Sequence, residues 1–126
     1  MTSSGALRYL AALLIVVVGV VHLQQYASFI KDVPTIGTLF LLNAAGAGVI
    51  VVLLAFERLR LLGVIGAIAL CVGSLVSVAI SATSSGLFDY TEATLRTPIV
   101  VAVVAEVLAL VVLGTFALAS RRGASA

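Results

Sequence analysis

Charged and polar residues in this chain are gathered into a few short stretches, with four long apolar segments between them: Leu7–Ile30, Thr35–Phe56, Leu61–Ala82 and Thr97–Ala119. Each is close to the roughly 20 apolar residues a helix needs to cross a hydrocarbon core of about 30 Å. Helices are the expected form, because in lipid each backbone N–H and C=O must be satisfied within its own segment. Strands of a membrane barrel would be shorter and would alternate polar with apolar residues. The Val-rich stretches Ile15–Val18, Val49–Val52 and Val100–Val104 favour strands in water, a preference that lipid overrides.

The links Lys31-Asp32-Val33-Pro34 and Glu57-Arg58-Leu59-Arg60 are too short for anything but antiparallel neighbours. The pattern therefore predicts an all-α membrane protein. It is one domain over residues 1–126, an up-down bundle of four transmembrane helices. Pro34 and Pro98 suit the first turns of segments two and four, and Asp32 or Thr35 is expected to cap segment two. The long connection is Thr83–Arg96. Ser84-Ser85-Gly86 should end the third helix, Leu87, Phe88 and Tyr90 should rest at the membrane interface, and Asp89 and Glu92 should face water.

Composition agrees. Of 126 residues, 63% are hydrophobic and only 10% charged, with a mean hydropathy of +1.33. A soluble domain this small has too much surface for such a mixture. The net charge of +2 does not imply nucleic acid, since no basic run with interleaved aromatics occurs. Topology explains the basic residues better. Arg8, Arg58, Arg60, Arg121 and Arg122 fall on one side of a four-span protein, and Lys31 and Arg96 on the other. The positive-inside rule then places both termini in the cytoplasm of a bacterial plasma (inner) membrane. Arg8 and the apolar run after it also resemble a signal peptide, but Gln25-Tyr26-Ala27 lacks the small residues of a cleavage site. Cys71, the single cysteine, has no partner in the chain for a disulfide and is expected to pack as a small apolar side chain.

Within this apolar background Glu106 stands out as the only charge in Thr97–Ala119. A carboxyl group at membrane depth usually faces a protein interior or a watery cavity, and is either protonated or paired. His22 lies eight residues before Ile30, Asn43 eight after Thr35, Ser74 eight before Ala82 and Glu106 nine after Thr97. At 1.5 Å per residue this sets all four about 12–14 Å below one membrane surface. Gln25 and Tyr26, one turn above His22, would open the patch outward, and Ser77 extends it on the third segment. Small residues share these faces and mark close helix contacts: Gly19, Gly46, Ala47, Gly66, Gly73, Ala102 and Ala109, with Gly63, Ala67 and Ser81 beside them.

Two uses of such a cluster follow. It is polar glue that holds a small bundle in register, at roughly 0.6–2 kcal/mol per interhelical hydrogen bond, or it is a proton relay or a pocket for a polar head group. One His, one Glu and a cysteine nearly a turn from Ser74 make a poor zinc set, and a bis-histidine haem would need His22 from two chains. No metal or cofactor is therefore expected. A Ser74–His22–Glu106 triad lacks an oxyanion device and a strained nucleophile turn, so no enzymatic role is expected either.

From His22-Leu23 through Pro34-x-Ile36-Gly37-x-x-Phe40-Leu41-Leu42-Asn43, then Ser81 to Gly86-Leu87 and on to Glu106, the chain resembles a family of small four-helix membrane proteins of actinobacterial type with no assigned activity. DoxX-like proteins share the architecture but not these residues. The resemblance implies that His22, Asn43 and Glu106 form a recurring set. Relatives tend to carry an Arg soon after the serine at Ser81; here the run is Ser81-Ala82-Thr83-Ser84-Ser85, so no role for that Arg carries over. With almost no surface outside the lipid, the chain is expected to serve as a non-enzymatic accessory or assembly subunit of a larger membrane complex, or to associate with itself. The alternative is a small transporter, or a protein that binds protons or a lipophilic ligand through His22 and Glu106.

Overall fold

A computed structural model of the chain describes residues 3–88, 90–92 and 96–125, with side chains over 5–121 of these. Four helices make up nearly all of it: α1 (Ser3–Gln25), α2 (Ile36–Ala55), α3 (Arg60–Ser81) and α4 (Thr97–Ser125). Each is long and apolar enough to cross a membrane, as the hydropathy pattern requires. The helices form a closed ring. α1 packs extensively on both α2 and α4, α2 packs on α3, and α3 meets α4 along the least extensive of the four sides. The fold is that of a multi-pass, all-α bundle.

Helix ends follow local chemistry more than the simple rules suggest. α1 widens into a π-helix over Tyr26–Ile30, where Lys31 N bonds Tyr26 O at 3.0 Å, five residues back. Segment two does not start on Pro34. Its helix begins at Ile36, and neither Thr35 nor any other side chain caps it. Thr35 instead sits at φ 65°, in a turn where Ile36 N meets Pro34 O at 2.7 Å and Gly37 N meets Val33 O at 2.9 Å. Backbone carbonyls thus serve the first amides in place of a cap. α4 continues past the expected Ala119 to Ser125.

Packing divides the bundle across its length. The half nearest the termini is dry: Ala11, Ile15, Ala47, Ile50, Leu54, Val64, Ala67, Cys71, Ala109, Leu113 and Phe116 form one buried cluster. Small residues permit that closeness. A Cβ at Gly19 would stand 2.8 Å from the Ala47 Cβ across α1 and α2. One at Gly63 would stand 2.9 Å from Leu54 Cδ2, and one at Gly66 3.2 Å from Ile50 Cγ1, both across α2 and α3. Toward the opposite end α2 and α3 part. Gly46 has only ordinary contact with Leu70 at 3.8 Å, and beside Gly73 there is open space. Gly73, expected as a packing residue, therefore borders a gap.

Candidate functional site

The gap is a cavity of about 380 Å³ in the half of the bundle that carries the α1–α2 turn and the 82–96 connection. All four helices contribute to its wall. α1 brings Val21, His22 and Gln25; α2 brings Leu39, Phe40, Leu42 and Asn43; α3 brings Leu70, Gly73, Ser74, Ser77, Val78 and Ser81; α4 brings Pro98, Ile99, Ala102 and Glu106. The four polar residues matched by depth in the sequence, His22, Asn43, Ser74 and Glu106, meet here, joined by Gln25 and Ser77. Tyr26 does not line the cavity. At about 100° per residue it points a quarter turn away from Gln25. Of the small residues, Ala102 borders the cavity while Ala47 and Ala109 belong to the dry half.

Glu106 is wholly buried, and neither of its carboxyl oxygens meets a hydrogen-bond partner. Ser74 lies close to it without the geometry of a bond to either oxygen. Asn43 Oδ1 is likewise buried and unpartnered. Groups this far from water normally find partners, and each that does not needs an explanation. His22, 7% exposed, is fixed in one orientation: its Nδ1 lies 2.8 Å from Val18 O, and its ring tilts against Phe40 at 4.9 Å. Because a carbonyl only accepts, Nδ1 carries the proton and Nε2 is left as an acceptor. The Ser77 hydroxyl donates to Gly73 O at 2.8 Å and the Ser81 hydroxyl to Val78 O at 2.9 Å. Since His22 and Glu106 are not joined, the hydrogen-bonded relay a nucleophilic triad needs is not formed. Among the described residues, no three metal-ligating side chains come together.

The roof of the cavity is the feature the sequence did not disclose. Gly86, at φ 69°, ends the run after α3, and a Cβ there would press on Tyr90 O at 2.6 Å. Leu87 and Tyr90 then exchange backbone bonds of 2.8 and 2.9 Å in a tight turn, and Glu92 N bonds Ser81 O at 2.7 Å. This turns Glu92 inward to 7% exposure rather than out to water. Its carboxylate accepts from the Tyr90 hydroxyl and, at 2.9 Å, from Arg96 Nε. Arg96 Nη1 donates in turn to Gln25 Oε1 at 2.6 Å, and the guanidinium lies 4.7 Å over the Phe29 ring. Burial, and then the bond to Glu92, raise the Tyr90 phenol above its ordinary range. Phe88 is exposed; Asp89 lies outside the described residues. Leu87, Tyr90 and Glu92 all border the cavity. Leu87, Tyr90 and Glu92 close its top, the dry cluster closes its floor, and the exposed rim residues Leu39, Leu42, Ala69 and Gly73 leave it open sideways between α2 and α3.

Fold and site together define a multi-pass helical membrane protein with a side-opening intramembrane cavity that holds an unpaired carboxyl group. No family model, no curated protein and no solved structure matches the chain.

Proposed function

We propose that the protein is a membrane-embedded binding protein or small carrier for a lipophilic guest. The observation that supports this most is the wholly buried Glu106 carboxyl, without a partner, in the wall of a cavity large enough for a small molecule. Polar glue would consist of side chains bonded to each other across helices. Here Glu106 and Asn43 Oδ1 are unbonded, while His22, Ser77 and Ser81 bond within their own helices. The apolar wall and the opening between α2 and α3 suit a guest that arrives from the bilayer. Both termini are taken as cytoplasmic in a bacterial inner membrane, so the cavity lies in the outer half of the bilayer.

Photolabelling tests this reading. An alkyl diazirine in native membranes is expected to mark cavity residues such as Phe40, Asn43 and Glu106, and to lose those adducts in Ala102→Leu. Adducts confined to lipid-facing positions such as Val49 and Val104 would overturn it.

A second reading is the accessory or assembly subunit of a larger complex. The sparse packing of α3 on α4 favours it, because a partner helix seated there would complete that side of the ring. Copurification in mild detergent distinguishes the two: a second polypeptide retained in fixed proportion supports the subunit reading, and its absence overturns it.

A further inference from the structure

The polar groups of the cavity include a buried carboxyl that, among the described residues, no cation faces. Glu106 supplies two oxygens and Asn43 a third, all buried and unpartnered. His22 commits its Nδ1 proton to Val18 O, so Nε2 is a fourth acceptor. The hydroxyls of Ser77 and Ser81 are occupied on backbone carbonyls. Among the described cavity residues the donors that remain are the Asn43 amide nitrogen, the Ser74 hydroxyl, the second amide hydrogen of Gln25 and the hydroxyl of a protonated Glu106. No cation answers Glu106. Arg96 is held by Glu92 and Gln25 and is not part of the cavity wall.

Resting on the binding role proposed above, we infer that the guest is a lipophilic amine. Its ammonium head sits against Glu106, with its N–H groups shared among Asn43 Oδ1 and His22 Nε2, and its apolar body lies along Phe40, Leu70 and Ile99 toward the α2–α3 opening. An ammonium brings the positive charge that this wall lacks, with three donors for its acceptors to share. An amine that enters as its free base takes the proton of the Glu106 carboxyl and pairs with the carboxylate left behind, a pairing that a carboxylate or phosphate head cannot make. An ester or ketone would leave every acceptor still unpaired, at a desolvation cost for each. An alcohol offers a single donor and no charge.

Native mass spectrometry of the full chain with dodecylamine, dodecanol and dodecanoate separates these cases. The amine is expected to bind best, and to lose about 10- to 100-fold in affinity in Glu106→Gln, a larger loss than dodecanol shows in the same variant. Gly73→Leu fills the open space beside α3 and is expected to abolish binding of all three. Two results would overturn the amine assignment and leave the binding role standing: equal amine affinity in Glu106→Gln and the unsubstituted protein, or stronger binding of alcohol or acid than amine, each with Gly73→Leu still blocking. If no probe binds the unsubstituted protein, or if Gly73→Leu changes nothing, the binding role falls with it.

Discussion

Arg96 and Gln25, 71 positions apart in the chain, are joined by a 2.6 Å hydrogen bond from guanidinium to side-chain amide. The same guanidinium holds Glu92 through Nε and covers Phe29. One side chain therefore fastens the 82–96 connection to the end of α1 and fixes the roof of the cavity.

Arg96→Ala is expected to release that roof. Amide hydrogen exchange over residues 87–92 should accelerate, with a loss of about 1–3 kcal/mol in stability from the charged hydrogen bonds. Arg96→Lys should not restore protection, because an ammonium lacks the planar fork that serves a carboxylate and an amide at once. Unchanged exchange in both variants would show that the connection is held by other means.

Two glycines separate packing from space. Gly19→Ala places a methyl 2.8 Å from Ala47 Cβ, and overpacking of this kind costs about 1–3 kcal/mol. Gly73→Ala meets nothing within 4 Å, so it should gain up to about 1 kcal/mol from helix propensity. Unfolding in mixed detergent micelles reads both, and Ala47→Gly should rescue the first variant.

Backbone geometry sets opposite expectations two residues apart. Gly86→Ala forces φ 69° on an L side chain and crowds Tyr90 O at 2.6 Å, which should make the connection sensitive to limited proteolysis. Phe88→Gly relieves a left-handed φ of 48° and should make cleavage slower. Identical digestion rates would sink the proposed turn.

Alkali should loosen the roof late. A phenol whose pKa is raised on folding contributes stability that is complete below its unfolded value of about 10. That contribution disappears as pH rises through the higher folded value. A tyrosinate absorbance titration should thus show a step displaced to high pH that Tyr90→Phe removes. A titration that Tyr90→Phe leaves unchanged at high pH would contradict the buried bond to Glu92.

Sidedness is open to direct measurement. Cys71 is buried and should not react with a membrane-impermeant maleimide in intact cells. In a Cys71→Ala background, Ser84→Cys should label from outside and Glu57→Cys only after permeabilisation. The reverse pattern would invert the topology.

The four spans were legible because lipid thickness imposes one length on each apolar run, and turn residues mark every break between them. His22, Asn43, Ser74 and Glu106 were legible for a related reason: a polar residue in an otherwise apolar helix leaves few faces for it, and depth can be counted from the helix ends. Tyr26 was misplaced because one residue beyond Gln25 is enough to turn a side chain off the shared face. The inward fold of Glu92 was not legible. It depends on Ser81 O receiving the Glu92 amide and on Arg96 reaching Gln25, and neither pairing leaves a periodic trace in the sequence. The start of α2 lies within one residue of the expected Thr35, but its capping was not legible, since backbone carbonyls of Val33 and Pro34 take the place of the side-chain cap that Asp32 or Thr35 suggested.

The tight seat of Gly63 and Gly66 on Leu54 and Ile50 bears on direction of travel. It acts as a stopper across the floor of the chamber, so whatever slips in from the surrounding leaflet has the same doorway as its exit. On the binding role proposed above, this conformation allows uptake and release within one leaflet only. Passage to the far side would first require those two glycine contacts to separate.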